Sequence, residues 1–112
     1  MKSMNVKELS QELFLTPLSL PHPEKAVTGG YTGDLLSWVM SRAKEGDCWI
    51  TIMSNLNVAA VAALTDVACV ILAENVQMEE QDRRIAFEKG VNILSSPLPA
   101  FDLCQKLGAM LR

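Results

Sequence analysis

The chain contains no GxxxxGK[ST] stretch, so it has no P-loop to cradle a nucleoside triphosphate. Its one histidine, His22, stands between Pro21 and Pro23 at an expected surface turn, and no serine, threonine or cysteine has an imidazole base in the pattern. The three cysteines (Cys48, Cys69, Cys104) form no CxxC pair, and one histidine with three scattered thiols does not build a zinc site. No catalytic set, metal site or cofactor is therefore expected. A basic excess is also missing. Ten Lys and Arg against thirteen Asp and Glu leave a net charge of −3, which gives no electrostatic footprint for nucleic acid or anionic lipid. The longest apolar runs, Val58–Leu64 and Val67–Ala73, fall far short of the ~20 residues of a membrane span. Met1–Glu12, with Lys2, Lys7, Glu8 and Glu12, does not read as a signal peptide. Aromatic residues are only 5%, so aliphatic side chains and methionines must fill the core.

What remains is a soluble, cytoplasmic single domain over 1–112, with 49% hydrophobic residues and its thiols buried in a reducing compartment. Asn5 and Glu8 match a capping box for a helix over Asn5–Leu13. Phe14–Leu20 reads as a strand interrupted by Pro17, and Glu24–Thr28 as a short strand leading into Gly29-Gly30. Leu36, Val39, Met40 and Ala43 recur at helical spacing, with Asp34 placed as N-cap and Gly46 as the stop. Cys48–Met53, Val67–Ala73 and Val91–Leu94 read as strands. Asn57–Thr65 is apolar nearly all round and predicts a buried helix. Met78–Lys89 predicts a surface helix with the pairs Glu79/Arg83 and Glu80/Arg84, and a last helix follows Pro97 and Pro99. The order from residue 46 on is β-α-β-α-β-α. It implies an α/β fold with a small open, mainly parallel sheet and flanking helices, preceded by a helix and short strands.

Open parallel sheets take ligands beyond the carboxyl ends of their strands. Three segments fit that position. Thr28, Gly29, Gly30, Thr32 and Asp34 belong to a glycine-rich stretch running into a helix, whose amides suit an anion. Ser54 and Asn55 lack an obvious structural duty, whereas Asn57 is placed to cap the next helix. Ser95 and Ser96 follow the last strand. Leu35, Leu36, Trp38, Val39 and Met40 crowd one short helix beyond what a single core stripe absorbs, which predicts a homodimer contact.

The run Val27-Thr28-Gly29-Gly30-Tyr31-Thr32-Gly33-Asp34-Leu35-Leu36-Ser37-Trp38-Val39-Met40 resembles the signature of DRTGG domains. Ala43–Thr51, Asn57–Ala62 and Gly90–Pro97 continue the likeness, which covers roughly residues 5–102. Only Thr28-Gly29-Gly30 survives of the name motif, with Val27 and its neighbours in place of the Asp-Arg portion. Such domains accompany CBS domains or phosphotransacetylase catalytic domains and are similar to the N-terminal domain of HPr kinase/phosphorylase. The resemblance implies a non-catalytic regulatory or sensory module. Its expected ligand is a small anionic metabolite or nucleotide, and its expected target a metabolic enzyme reached in trans. A protein-interaction subunit of a metabolic or redox enzyme, with no small ligand, is the alternative. The kinase activity of the HPr relatives is not implied, because its P-loop half is missing.

Overall fold

A computed structural model describes residues 4–111, so Lys2 of the N-terminal reading lies outside the described residues. The elements are α1 (Val6–Glu12), β1 (Thr16–Ser19), β2 (Gly29–Thr32), α2 (Leu36–Arg42), β3 (Asp47–Thr51), α3 (Leu56–Thr65), β4 (Cys69–Leu72), α4 (Glu80–Glu88), β5 (Ile93–Ser95) and α5 (Ala100–Met110). The five strands form one open sheet in the order β1-β5-β4-β3-β2. All neighbours run parallel except β1, which pairs antiparallel with β5.

The central strands are continuously apolar because helices cover both faces. On one face Cys48, Ile50, Cys69, Ile71 and Leu94 pack against Val6 and Leu9 of α1 and Leu103 and Leu107 of α5. On the other, Trp49, Val70, Leu72 and Ile93 pack against Val39 of α2, Val58, Ala59, Val61 and Ala62 of α3, and Ala86 of α4. Successive side chains of a strand alternate between these two layers, as the pleat requires.

The capping box forms as expected: Glu8 N–H donates to Asn5 Oδ1 at 2.8 Å, and Asn5 N–H to Glu8 Oε1 at 3.0 Å. Other local expectations are corrected. Gly29–Thr32 is itself the strand, and Glu24–Thr28 contributes only an isolated bridge, Asn5 to Ala26. Asp34 does not cap α2; the N-cap is Leu35, without a side-chain bond. Helix α2 ends at Ala43, and Gly46 serves the turn before β3, with φ +85° in the left-handed region. Helix α3 is exposed along one side, with Leu64 at 73% and Leu56 also outward, since α2 and α4 flank it and leave its outer side uncovered among the described residues. Glu80 does pair with Arg84, at 3.5 Å and well exposed, a contact worth well under ~1 kcal/mol. Arg83 turns instead to the chain across the sheet edge, its Nε donating to Leu18 O at 3.0 Å.

Cys48 and Cys69 are fully buried register partners on β3 and β4, with their sulfurs 3.6 Å apart. The hydrogen bond between the two thiols, with burial adding to it, pushes the Cys48 thiol well above its usual range. Such thiols are inert, because the thiolate is the reactive form. Cys104 is only half-buried, which corrects the expectation that all three are interior. Iodoacetamide on the native protein at high dilution is expected to label Cys104 before Cys48 and Cys69, which stay unmodified until urea unfolds the chain; peptide mass mapping reads the order.

Candidate functional site

Asp34, which follows β2, and Ser54, Asn55 and Asn57, which follow β3, lie beyond the carboxyl ends of two paired parallel strands. Asp34 is held there by β3: its Oδ1 accepts from Thr51 Oγ1 at 2.7 Å and from Ile52 N–H at 3.1 Å. Thr51 is buried, and its hydroxyl oxygen also accepts from Met53 N–H at 3.2 Å, which turns the chain out of the strand. The next structured contact is the cap of α3. Asn55, in extended backbone, is the N-cap, and its Oδ1 accepts from Asn57 N–H at 2.9 Å. The two asparagines thus exchange the duties expected of them: Asn55 caps, and Asn57 sits one residue inside the helix with its side chain exposed.

Between those two contacts lie the backbone amides of Ser54, Asn55 and Leu56, which find no acceptor among the described residues. Three successive donors at the positive end of a ten-residue helix favour an anion. Asp34 adds negative charge beside them, so a multiply charged ligand would sit there with a cation or with its charge turned from Asp34. Ile52 and Leu56 are about half-exposed and supply an apolar rim. On the α2 side Leu35 and Trp38 are also exposed, and the Arg42 guanidinium stacks over the Trp38 ring, 3.8 Å from its centroid.

The other expected residues lie elsewhere. Thr28 is at the opposite, amino end of the sheet; its N–H donates to Gly46 O at 2.9 Å, and it lines a cavity of about 360 Å³ with Lys25 and Asp66. There Lys25 Nζ bonds Asp66 Oδ1 at 2.8 Å and holds the Asp66 carboxyl below its usual range. Gly29, Gly30 and Thr32 form β2; Gly30 and Thr32 line a groove of about 240 Å³ against α5. Thr32 Oγ1 donates to Ile50 O at 3.1 Å. Ser95 is buried within β5, paired to Thr16 and Leu72. Ser96 is buried too: its Oγ accepts from Leu98 N–H at 3.1 Å, in a turn whose cavity of about 310 Å³ it shares with Phe14 and Lys106. The ten residues therefore do not form one cluster: Thr28 lies at the amino end of β2, Ser95 and Ser96 at the carboxyl end of β5, and Asp34, Ser54, Asn55 and Asn57 beyond the carboxyl ends of β2 and β3.

One polar residue with a large structural role carries no motif. Asn92, 2% exposed, accepts from His22 N–H at 2.9 Å and donates to His22 O at 2.7 Å and Ala68 O at 3.0 Å. A lone amide inside the run Val91–Leu94 was the available signal, since a buried polar group needs partners. His22, exposed and 3.4 Å from Glu24, touches none of the expected ligand residues. No helix among the described residues is long and apolar enough to cross a membrane.

No protein-family model matches the sequence, and no curated protein matches it. Among solved structures, the fold is similar to that of the CBS and DRTGG domains of the regulatory region of Clostridium perfringens pyrophosphatase, a structure complexed with the activator diadenosine tetraphosphate. The TM-score is 0.67 at 13% identity, over 88% of this chain. The chain spans 43% of that chain's length, less than half. At that identity the likeness is one of fold, and it agrees with the DRTGG resemblance carried by the residues around Thr28–Met40.

Proposed function

We propose that residues 1–112 form a single cytoplasmic DRTGG-type module, non-catalytic and regulatory, which binds a small anionic metabolite or nucleotide and acts in trans on a metabolic enzyme. The observation that carries this reading is the run of free amides at Ser54, Asn55 and Leu56, opening α3 at the carboxyl edge of the sheet. The fold supports it, because the similar structure is a regulatory region bound to a dinucleotide activator. The ligand's anionic group would take the amides and the Ser54 hydroxyl, and its apolar part would lie on Ile52 and Leu56. Asp34 would select against bare polyphosphate and for a singly charged or cation-paired group. The ligand set named by sequence, including Thr28, Gly30 and Ser96, contracts in this reading to the Asp34, Ser54, Asn55 and Asn57 group.

The working form of the module is a homodimer. A second reading, a protein-interaction subunit without a ligand, is favoured by the half-exposed Leu35, Trp38 and Met40 of α2. A thermal-shift screen against nucleotides, diadenosine tetraphosphate, phosphosugars and acyl phosphates separates the two. A ligand-dependent rise supports the first reading. No rise, together with stoichiometric co-purification of a larger enzyme lost in Trp38→Glu, supports the second.

A further inference from the structure

The two edges of the sheet are built differently. Edge strand β1 is blunted, with Pro17 in it and a register shift between Pro17 and Ser19. Edge strand β2 has no proline, no charge and no bulge. Thr32 pairs with Ile50, and Gly33 N–H donates to Ile50 O, which directs the backbone groups of Gly29 and Tyr31 toward β3. By the period of two, the N–H and C=O of Gly30 and Thr32 face outward. Both residues are exposed, and β2 is an edge strand with β3 as its sheet neighbour, so these outward groups have no ladder partner among the described residues.

We infer that β2 is the seam of the homodimer, pairing antiparallel with β2 of a second copy so that the two sheets become one. The inference deepens the dimer reading given above and is independent of the ligand. A two-fold axis at Tyr31 sets Gly30 of each copy opposite Thr32 of the other, and the outward groups of both residues then form two bonded pairs. Thr28–Gly33 carries no charge, so two copies of a chain with net charge −3 meet there without like-charge repulsion. A four-residue strand spans only about 13 Å, too little alone for the ~800 Å² per partner of a stable interface. Its flanks supply the rest. On one face the groove beside β2 is lined by Cys104, Leu107, Gly108 and Leu111 of the α5 region. Gly108 lies inside α5, where a Cβ would meet nothing within 4 Å, so its own fold does not require a glycine. The missing side chain leaves room there for α5 of a second copy. On the other face α2, the connection out of β2, exposes Leu35 and Trp38.

Light scattering of the full chain at high micromolar concentration is expected to give twice 12.3 kDa. Hydrogen exchange is expected to protect the Gly30 and Thr32 amides in a concentration-dependent way. Gly108→Arg places a long charged side chain in open space, so it should keep or raise the melting temperature while weakening the dimer at least about tenfold. Thr32→Pro removes an outward donor and should weaken it likewise. A monomer with fast-exchanging Gly30 and Thr32 amides overturns the inference together with the dimer reading. A dimer untouched by both variants but broken by Trp38→Glu overturns the seam alone. A monomer that protects these amides only on adding another protein shows a foreign strand at the edge and also overturns it.

Discussion

Asn92→Leu is expected to destabilise the fold by about 3–4 kcal/mol, although the substitution only exchanges one side chain for another of similar size. Its carboxamide joins the His22 backbone, at both N–H and C=O, to Ala68 O at the entrance of β4. Removing it orphans three backbone groups, and an unsatisfied buried group costs ~1–3 kcal/mol. The Ala68 carbonyl, bonded by Asn92 in a buried setting, bears the full penalty; the His22 groups lie nearer solvent and recover part of theirs. Leucine's apolar gain does not offset this, because the site was shaped for an amide. For a domain of 112 residues the loss corresponds to a fall of roughly 15 °C in melting temperature. Urea denaturation gives the free energy directly. A midpoint close to wild type would mean that water replaces the amide, and that the Pro21–Pro23 turn is not anchored through Asn92.

The second large effect concerns the ligand. A molecule bound at about a hundred times its Kd adds roughly 2.7 kcal/mol to stability, on the order of 10 °C in a domain of this size. Where that shift is lost locates the site. Asn55→Ala cannot decide it, since Asn55 caps α3 and its removal costs ~1 kcal/mol before any ligand is considered. Leu56→Pro is the cleaner probe. Leu56 is the first residue of α3, where proline is accommodated, and Asn55 already has the extended backbone, φ −82° and ψ 174°, that proline asks of its predecessor. The variant removes one of the three free amides together with the Leu56 part of the apolar rim, both of them parts of the same site, and leaves the Asn55 cap in place. Its unliganded melting temperature should stay near wild type while the ligand-induced shift falls by at least half.

How much of this was legible depends on how local each cause is. The Asn5/Glu8 box needs only residues three apart, and it forms as read. The strands β3, β4 and β5 announced themselves because burial on both faces demands unbroken apolar runs, as in Cys69–Leu72. Gly29–Thr32 did not, since glycines have low strand preference and this segment is a strand only because β3 lies alongside it. A pairing across that separation leaves no local pattern. The same limit governs Asn55 and Asn57. Either could cap a helix, and the choice falls where β3 ends, which Thr51 sets through its bonds to Asp34 and Met53. Asp34 itself was drawn from α2 to β3 by that hydroxyl. Thr28 and Ser96 fall away from that group because of the strand order: β5 is separated from β3 by β4, and Thr28 enters β2 at its amino end.

The central claim is that ligand binding happens on the amides that open α3. Amide NMR spectra of ¹⁵N-labelled protein, titrated with the compound giving the largest thermal shift, test it most directly. The account predicts that Ser54, Asn55 and Leu56 show the largest displacements, that Ile52 and Asp34 follow, and that Leu56→Pro weakens the titration without altering the rest of the spectrum. Displacements centred on Thr28 and Gly46, or on Ser96 and Leu98, with Ser54–Leu56 unmoved, would contradict it.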